Sequence, residues 1–473
     1  MGRALGPAPA AGSSSSPGSA GGSAVQMSEA QAERIANGLC RLRGAALKLG
    51  QMLSLSDEAL LPPAIAKALE RVRTQADVMP QRQLLAQLGS ELGEGWRERL
   101  GGEALQLAPV AAASIGQVHR SVLPDGRAVA IKVQYPGVAE SVNSDLDNLR
   151  RLLTMAAFLP KGLYLDPLIN VAREELTAEC DYRREAAAQQ RFAQLVASSS
   201  DRDVFEVPSV VPELSSGRVL TTTWLEGMPI DAAVEAGMPQ HVRNSIARRL
   251  LKLTLRELFE WRFMQVRARL WSKRQARELG CPQLPHTHPT LTPPPPPLPV
   301  PPPLAQTDPN WGNFFYNSSN DKVGLLDFGA TRDFSKDFVD DYFRLVWAAA
   351  ERDRDTIQEV SIKLGFLTGH ESKAMLNAHI ESGLVVGEPF ASSAPFDFKG
   401  SGITTRVAQH GATFADERLT APPNEVYSLH RKLAGAFLIC IRMGAVMPCR
   451  DLLEEVRDNY KFGPVQDSRS VLK

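Results

Sequence analysis

The chain has 473 residues, 43% of them hydrophobic and 22% charged, enough apolar material for one large two-lobed domain or two average ones. Lys plus Arg and Asp plus Glu each number 53, so no net field attracts a polyanion, and no nucleic-acid partner is expected. Cys40, Cys180, Cys281, Cys440 and Cys449 lack CxxC spacing, against a zinc site or disulfide scaffold, and no run of about 18 apolar residues exists to span a bilayer.

Residues 1–26 are mostly Gly, Ala, Ser and Pro with one charge, Arg3, and read as disordered. They have neither the hydrophobic core of a secretory signal nor the arginines of a transit peptide. Ser28 and Gln31 have capping-box spacing, and Ile35, Leu39, Leu42, Ala46, Leu49 and Leu53 recur at steps of three and four. This predicts one amphipathic helix. Lys48 and Gln51 lie about 60° apart on it, away from the Leu49 stripe, and are presented together. Two polar residues on a solvated face are the simpler reading.

Short helices are expected over 58–100, then a β-hairpin of Ile115–His119 and Ala128–Gln134 around Pro124-Asp125-Gly126. Helical patterns cover 140–158, 168–198 and 238–261, and short strands cover 207–224. Residues 266–306 then hold 12 of the 34 prolines, with five basic residues and one acidic one. No packed structure fits that composition. The segment interrupts what reads as a strand and loop, Arg262-Phe263-Met264-Gln265 into Thr307-Asp308, and ends on a second glutamine, Gln306. It reads as a translated retained intron: valine codons begin with GT, Gln306 can be CAG, and the proline run matches a C-rich tract before a splice acceptor. Its His286 and His288 are not assigned to a metal.

Beyond it, Phe314–Tyr316 and Val323–Leu326 predict a second hairpin that delivers Asp327 at its end, and 336–460 is largely helical. The helices are expected over 338–352, 355–366, 372–386 and 423–443.

Phosphoryl transfer from ATP needs a lysine for the phosphates, an acid to hold that lysine, oxygen ligands for Mg²⁺ and a residue near the nucleophile. Lys132 ends the strand Val129-Ala130-Ile131-Lys132. Asp308 and Asn313 are five apart, as in a kinase catalytic loop, and Asp327-Phe328-Gly329 follows 14 residues after Asn313. Asn313 and Asp327 are hard oxygen ligands suited to Mg²⁺.

With these motifs the chain resembles the UbiB/ADCK family of atypical kinases, most of all its mitochondrial coenzyme Q-biosynthesis members, over about residues 28–460. Ala45-Ala46-Leu47-Lys48-Leu49-Gly50-Gln51 matches the KxGQ motif. Ala111-Ala112-Ala113-Ser114-Ile115-Gly116-Gln117-Val118-His119 matches the alanine-rich loop that replaces GxGxxG. Glu179-Cys180-Asp181-Tyr182-Arg183-Arg184-Glu185 matches ExD and the acid that follows it.

The resemblance implies an α+β, two-lobed protein-kinase-like fold with a helical KxGQ extension and a largely helical C-lobe. It divides the chain into a low-complexity start (1–27), the extension (28–100), an N-lobe (101–228), a C-lobe (229–460) interrupted by 266–306, and a tail (461–473). Lys132, Glu185 and Asp308 become catalytic residues, and Ala111, Ala112, Ala113, Ser114, Lys132 and Glu226 contact nucleotide. Asn313 and Asp327 bind metal, while Lys48, Gln51, Glu179 and Asp181 form the regulatory KxGQ/ExD set. Lys48 would reach Glu179 as Lys132 pairs with Glu185. On a continuous helix Asp181 and Glu185 share a face and Glu179 does not, so the two ExD acids have separate partners. Three alanines carry Cβ atoms that restrict a loop glycines would leave free, which alters nucleotide handling.

Relatives with HxDP have a histidine two before the aspartate, where this chain has Gln306 or, without the insert, Gln265. A backbone-ordering role is expected for it. Glu226-Gly227 fits the interlobe hinge, and Phe396-Asp397-Phe398 and Leu429-His430-Arg431-Lys432 are assigned to packing. The function implied is an ATPase or small-molecule kinase, using ATP or ADP with Mg²⁺, that supports coenzyme Q biosynthesis in the mitochondrion. Its expected partners are other proteins of that pathway, a lipid or membrane surface, and a second copy as a homodimer. The alternative is a nucleotide-binding pseudokinase scaffold; an ordinary protein kinase ranks third. With 266–306 set beside Asp308, this form is expected to be impaired.

Overall fold

Alternating runs on either side of Pro124-Asp125-Gly126 close into the hairpin that organises the first half of the molecule. The computed structural model describes residues 78–113, 115–155, 165–265 and 313–463. Lys48, Gln51, Ser114, the segment 266–306 and Asp308 lie outside the described residues, as does the helix expected from Ser28.

Strands β1 (Ala111–Ala112), β2 (Gly116–Val122), β3 (Ala128–Gln134) and β5 (Val219–Thr223) form an antiparallel sheet in the order β1-β2-β3-β5. Val129, Ile131 and Val133 alternate along β3 onto one face. There they pack with Leu84 and Leu88 of α1 (Gln81–Leu92), Trp96 of α2 (Trp96–Arg99) and Leu214. A Cβ at Gly116 would stand 2.3 Å from the Val133 carbonyl oxygen, so only glycine lets β2 start this close to β3.

Helix α3 (Val138–Met155) follows the sheet hairpin. The continuous helix expected over 168–198 is two helices, α4 (Leu165–Glu179) and α5 (Tyr182–Ala197). Asp181 breaks it: its backbone is extended (φ −109°, ψ 98°) and its carboxylate accepts the Arg183 N–H, making it the N-cap of α5. The break separates Glu179, which ends α4, from Asp181, which starts the same helix as Glu185 and whose carbonyl accepts the Glu185 N–H at 3.4 Å.

The chain crosses from the first sheet to a second at Trp224–Gly227. The second sheet has the order β4-β9-β8-β6, from β4 (Phe205–Glu206), β6 (Met228–Pro229), β8 (Phe314–Asn317) and β9 (Lys322–Leu325). Beyond α6 (Ile230–Glu235), helix α7 (Gln240–Phe259) runs through the centre of the second half. Leu250, Leu251, Leu258 and Phe259 of α7 pack with Phe343 of α8 (Lys336–Glu351), Leu429 and Phe437 of α13 (Asn424–Arg442) and Leu453 of α14 (Arg450–Asn459). Between these lie α9 (Arg354–Lys363), α10 (Lys373–Gly387), α11 (Ile403–Ala408) and α12 (Gly411–Glu417).

Ser335, Asp353 and Ser372 cap α8, α9 and α10 through their side chains, which is why those helices begin within two residues of the sequence expectation. Two short pairings complete the fold, β7 (Phe263–Gln265) with β10 (Thr331–Asp333) and β11 (Phe396–Asp397) with β12 (Val446–Met447). Among the described residues no helix is long and apolar enough to cross a membrane.

Candidate nucleotide-binding site

Lys132 sits in the middle of the first sheet, opposite Val118 on β2 and Leu220 on β5. Its ammonium is 2.5 and 2.6 Å from the two carboxylate oxygens of Glu185 and 3.7 Å from Asp327 Oδ1. It also stands over the Tyr182 ring, 4.8 Å from the centroid. Glu185 lies in the first turn of α5, so the Asp181 cap and the bond from Tyr182 N–H to the Gly217 carbonyl (2.9 Å) together aim it at β3. Lys132 and Glu185 are 7% and 4% exposed. At that burial each charge requires the other, because a lone buried ion costs several kcal/mol.

Asp327 enters from the opposite side. The β8–β9 hairpin pairs Phe314 with Leu325, and Leu326 N–H donates to the Asn313 carbonyl at 2.9 Å. Asn313 and Asp327 thus leave the same end of one hairpin, 1% and 7% exposed. Asp327 has φ +65°, the left-handed region, which costs a non-glycine residue about 1–2 kcal/mol. Gln265 holds it there: its side-chain amide donates to the carbonyls of Leu326 (2.6 Å) and Asp327 (2.5 Å). This is the backbone-ordering contact expected of that glutamine. Gly329 N–H donates to Asp327 Oδ1 at 3.2 Å, and a Cβ on Gly329 would lie 3.3 Å from both that oxygen and Glu185 Oε2.

Between these two sides is a cleft whose walls include Val118, Ala130, Leu220, Trp224, Phe315 and Leu326, with Lys132, Glu185 and Asp327 at its polar end. An apolar slot for a planar base ending in a cation and carboxylates matches the two halves of a nucleotide. The donors also fit a divalent cation. Among the described residues no three His, Cys, Asp or Glu side chains converge into a cage. Two protein oxygens, with the remaining positions left to phosphate and water, is the arrangement Mg²⁺ favours.

The other expected contacts are placed differently. Ala111 is fully buried in β1 opposite Val118, Ala112 pairs with Gln117, and Ala113 N–H donates to the Gly116 carbonyl at 2.6 Å. The neighbour that lines the cleft is Val110. Glu226 is exposed, one residue beyond Thr223, Trp224 and Leu225, which do line the cleft. Glu179 is 1% exposed at the end of α4, whereas Asp181 is exposed.

Gln117 and His119 work behind the sheet rather than in the cleft. His119 Nδ1 faces the Gln106 carbonyl at 2.8 Å and so carries the proton; Nε2 accepts from the Gln117 amide at 2.8 Å, and Gln117 Oε1 accepts the Met79 N–H. Burial pushes the His119 pKa down, partly opposed by the Gln106 carbonyl, which fits the neutral ring this network needs.

Residues 71–267 and 303–361 match the ABC1 atypical kinase-like domain. The break between the two stretches falls inside 266–306. The atypical kinase COQ8B, mitochondrial, of Rattus norvegicus is 45% identical over 93% of this chain and 74% of its own length. The atypical kinase coq-8, mitochondrial, of Caenorhabditis elegans is 44% identical over 92% of this chain, which spans 52% of that relative. A solved complex of Rv3197 with erythromycin from Mycobacterium tuberculosis superposes with a TM-score of 0.56 at 25% identity, covering 90% of this chain and 96% of the other.

Proposed function

Because the chain belongs to the ABC1 atypical kinase-like family and has its two-lobed fold, we propose that it binds ATP or ADP with Mg²⁺ and transfers the terminal phosphoryl group to water or a small acceptor. The observation that carries this reading is the convergence of Lys132, Glu185 and Asp327 at the polar end of an apolar cleft. Lys132, oriented by Glu185, neutralises phosphate oxygens. Asn313 and Asp327 hold the cation, which supplies charge stabilisation on the transferring group when bound. Asp308 orients the nucleophile. Val118, Ala130 and Leu326 exclude water around the base.

A water or small acceptor is favoured over a polypeptide by the chain after Gly329. Thr331–Asp333 pairs at once with β7, Asp333 is held by Arg191, and Ser335 already caps α8. That leaves no extended segment to serve as a platform for a peptide. The names of the relatives support a role in coenzyme Q biosynthesis in the mitochondrion; other proteins of that pathway and a lipid surface as partners belong to the proposal alone.

The second reading is a form that binds nucleotide but turns it over poorly, as a scaffold would. It is favoured by the break in the family match, which lies inside the proline-rich segment and just before Asp308. A translated retained intron accounts for that position, and aligning the transcript with its genomic locus tests it: an exon boundary inside 266–306 would exclude it. Binding itself is tested by calorimetry of the full chain with ATP and ADP. Affinity rises on adding Mg²⁺, and Asp327→Asn removes most of that rise. Binding indifferent to Mg²⁺, or a rise untouched by Asp327→Asn, contradicts the reading.

A further inference from the structure

Lys432 of α13, expected to pack, reaches instead across to α7, where its ammonium is 2.9 Å from Glu257 Oε1. Glu257 is fully buried, and its other oxygen accepts the backbone N–H of Gln265 at 2.8 Å. Gln265 is the residue whose side-chain amide holds the carbonyls of Leu326 and Asp327. An unbroken line of contacts therefore runs from α13 through α7 and β7 to the left-handed backbone of Asp327.

Stability alone is a weak reason for such a pair, since apolar replacements of a buried ion pair are often neutral or better. Burial works against the Glu257 carboxylate and pushes its pKa up, opposed by Lys432 and by the Gln265 N–H. What the ionised pair provides is direction. A carboxylate clamped on one oxygen by Lys432 presents the other to a single backbone N–H, fixing the strand end from which Gln265 reaches Asp327.

We propose that Lys432 and Glu257 are positioning residues for the metal ligand Asp327, acting through Gln265. This rests on the reading of Asp327 as a Mg²⁺ ligand. The test is nucleotide affinity of the full chain by calorimetry, with and without Mg²⁺. Lys432→Met is expected to cut the Mg²⁺-dependent gain by about tenfold, the scale of a displacement well under 1 Å, and to leave Mg²⁺-free affinity within about twofold. A fall in melting temperature with the gain intact makes the pair structural only and overturns the proposal. If Lys432→Met does not fold, the combined Glu257→Gln and Lys432→Met variant buries no charge and keeps an acceptor for the Gln265 N–H. A reduced gain in it supports the proposal; an unchanged gain overturns it. If the unaltered chain shows no gain from Mg²⁺, the reading of Asp327 fails. If it does and the variants keep the gain in full, only the positioning role fails.

Discussion

The two sides of the cleft hold their polar groups by different means. On the sheet side, Lys132 is fixed by a side-chain ion pair, with Glu185 brought in from a separate helix. On the hairpin side, Asn313 and Asp327 are fixed by the path of the chain: strand register, the Leu326-to-Asn313 backbone bond and the Gln265 clamp. The first side is sensitive to the loss of one charge. The second is sensitive to anything that moves backbone, and residues 266–306 enter the chain there, between β7 and β8.

The sharpest way to break this comparison is Lys132→Met. It leaves the Glu185 carboxylate buried without its ammonium, at a cost of about 3–5 kcal/mol in stability, and is expected to weaken nucleotide binding as well. Thermal unfolding with and without nucleotide checks both, and unchanged unfolding would show that the pair is not what holds the sheet side together.

Next in size is deletion of 266–306. Closing a loop of this length costs only a few kcal/mol, but a displacement of about 1 Å beside Asp308 can cost about 10²-fold in rate. The deletion should raise turnover up to that factor while nucleotide affinity changes little. Equal turnover rates would mean that the segment is extruded without consequence.

Acid should act on the second half of the molecule more gradually. Burial lowers the pKa of His379 to about 4, with Arg418 adding to the shift, and its Nε2 contacts Ser361 Oγ at 2.9 Å. The ring is neutral in the fold and takes up a proton more readily once unfolded. Its contribution is therefore complete above about pH 6.5 and is lost as pH falls toward about 4, by at most about 1.4 kcal/mol per pH unit. Denaturant unfolding from pH 7 to 4, with His379→Gln as the flatter reference, measures this.

The smallest effect is expected from Asp181→Ala, which removes the side-chain cap of α5 and costs about 1 kcal/mol. Because the cap also helps to aim Glu185, the variant is expected to lose some nucleotide affinity in addition; a stability loss with affinity intact would confine it to capping.

The sheet side was the more legible of the two. Alternation in Ala128–Gln134 and the Pro124-Asp125-Gly126 turn predict β2, β3 and the place of Lys132, because both signals are local. Phe314–Leu326 was legible for the same reason. The break at Cys180 was not, since apolar residues continue through Leu176 and Tyr182 and only the Asp181 cap interrupts the helix. The cleft walls also include Leu220 and Phe315, which no local pattern distinguishes from core residues. Lys432 and Glu257 are 175 residues apart, and no spacing within either helix reveals that they meet.

The measurement that tests the account most directly is Mg²⁺-dependent release of phosphate from ATP by the form lacking 266–306, run beside the same form carrying Lys132→Met. Release that requires Mg²⁺ and disappears in the variant is the predicted result. No release at all would contradict it and leave the cleft a nucleotide-binding scaffold, and release indifferent to Lys132 would contradict the role given to that lysine.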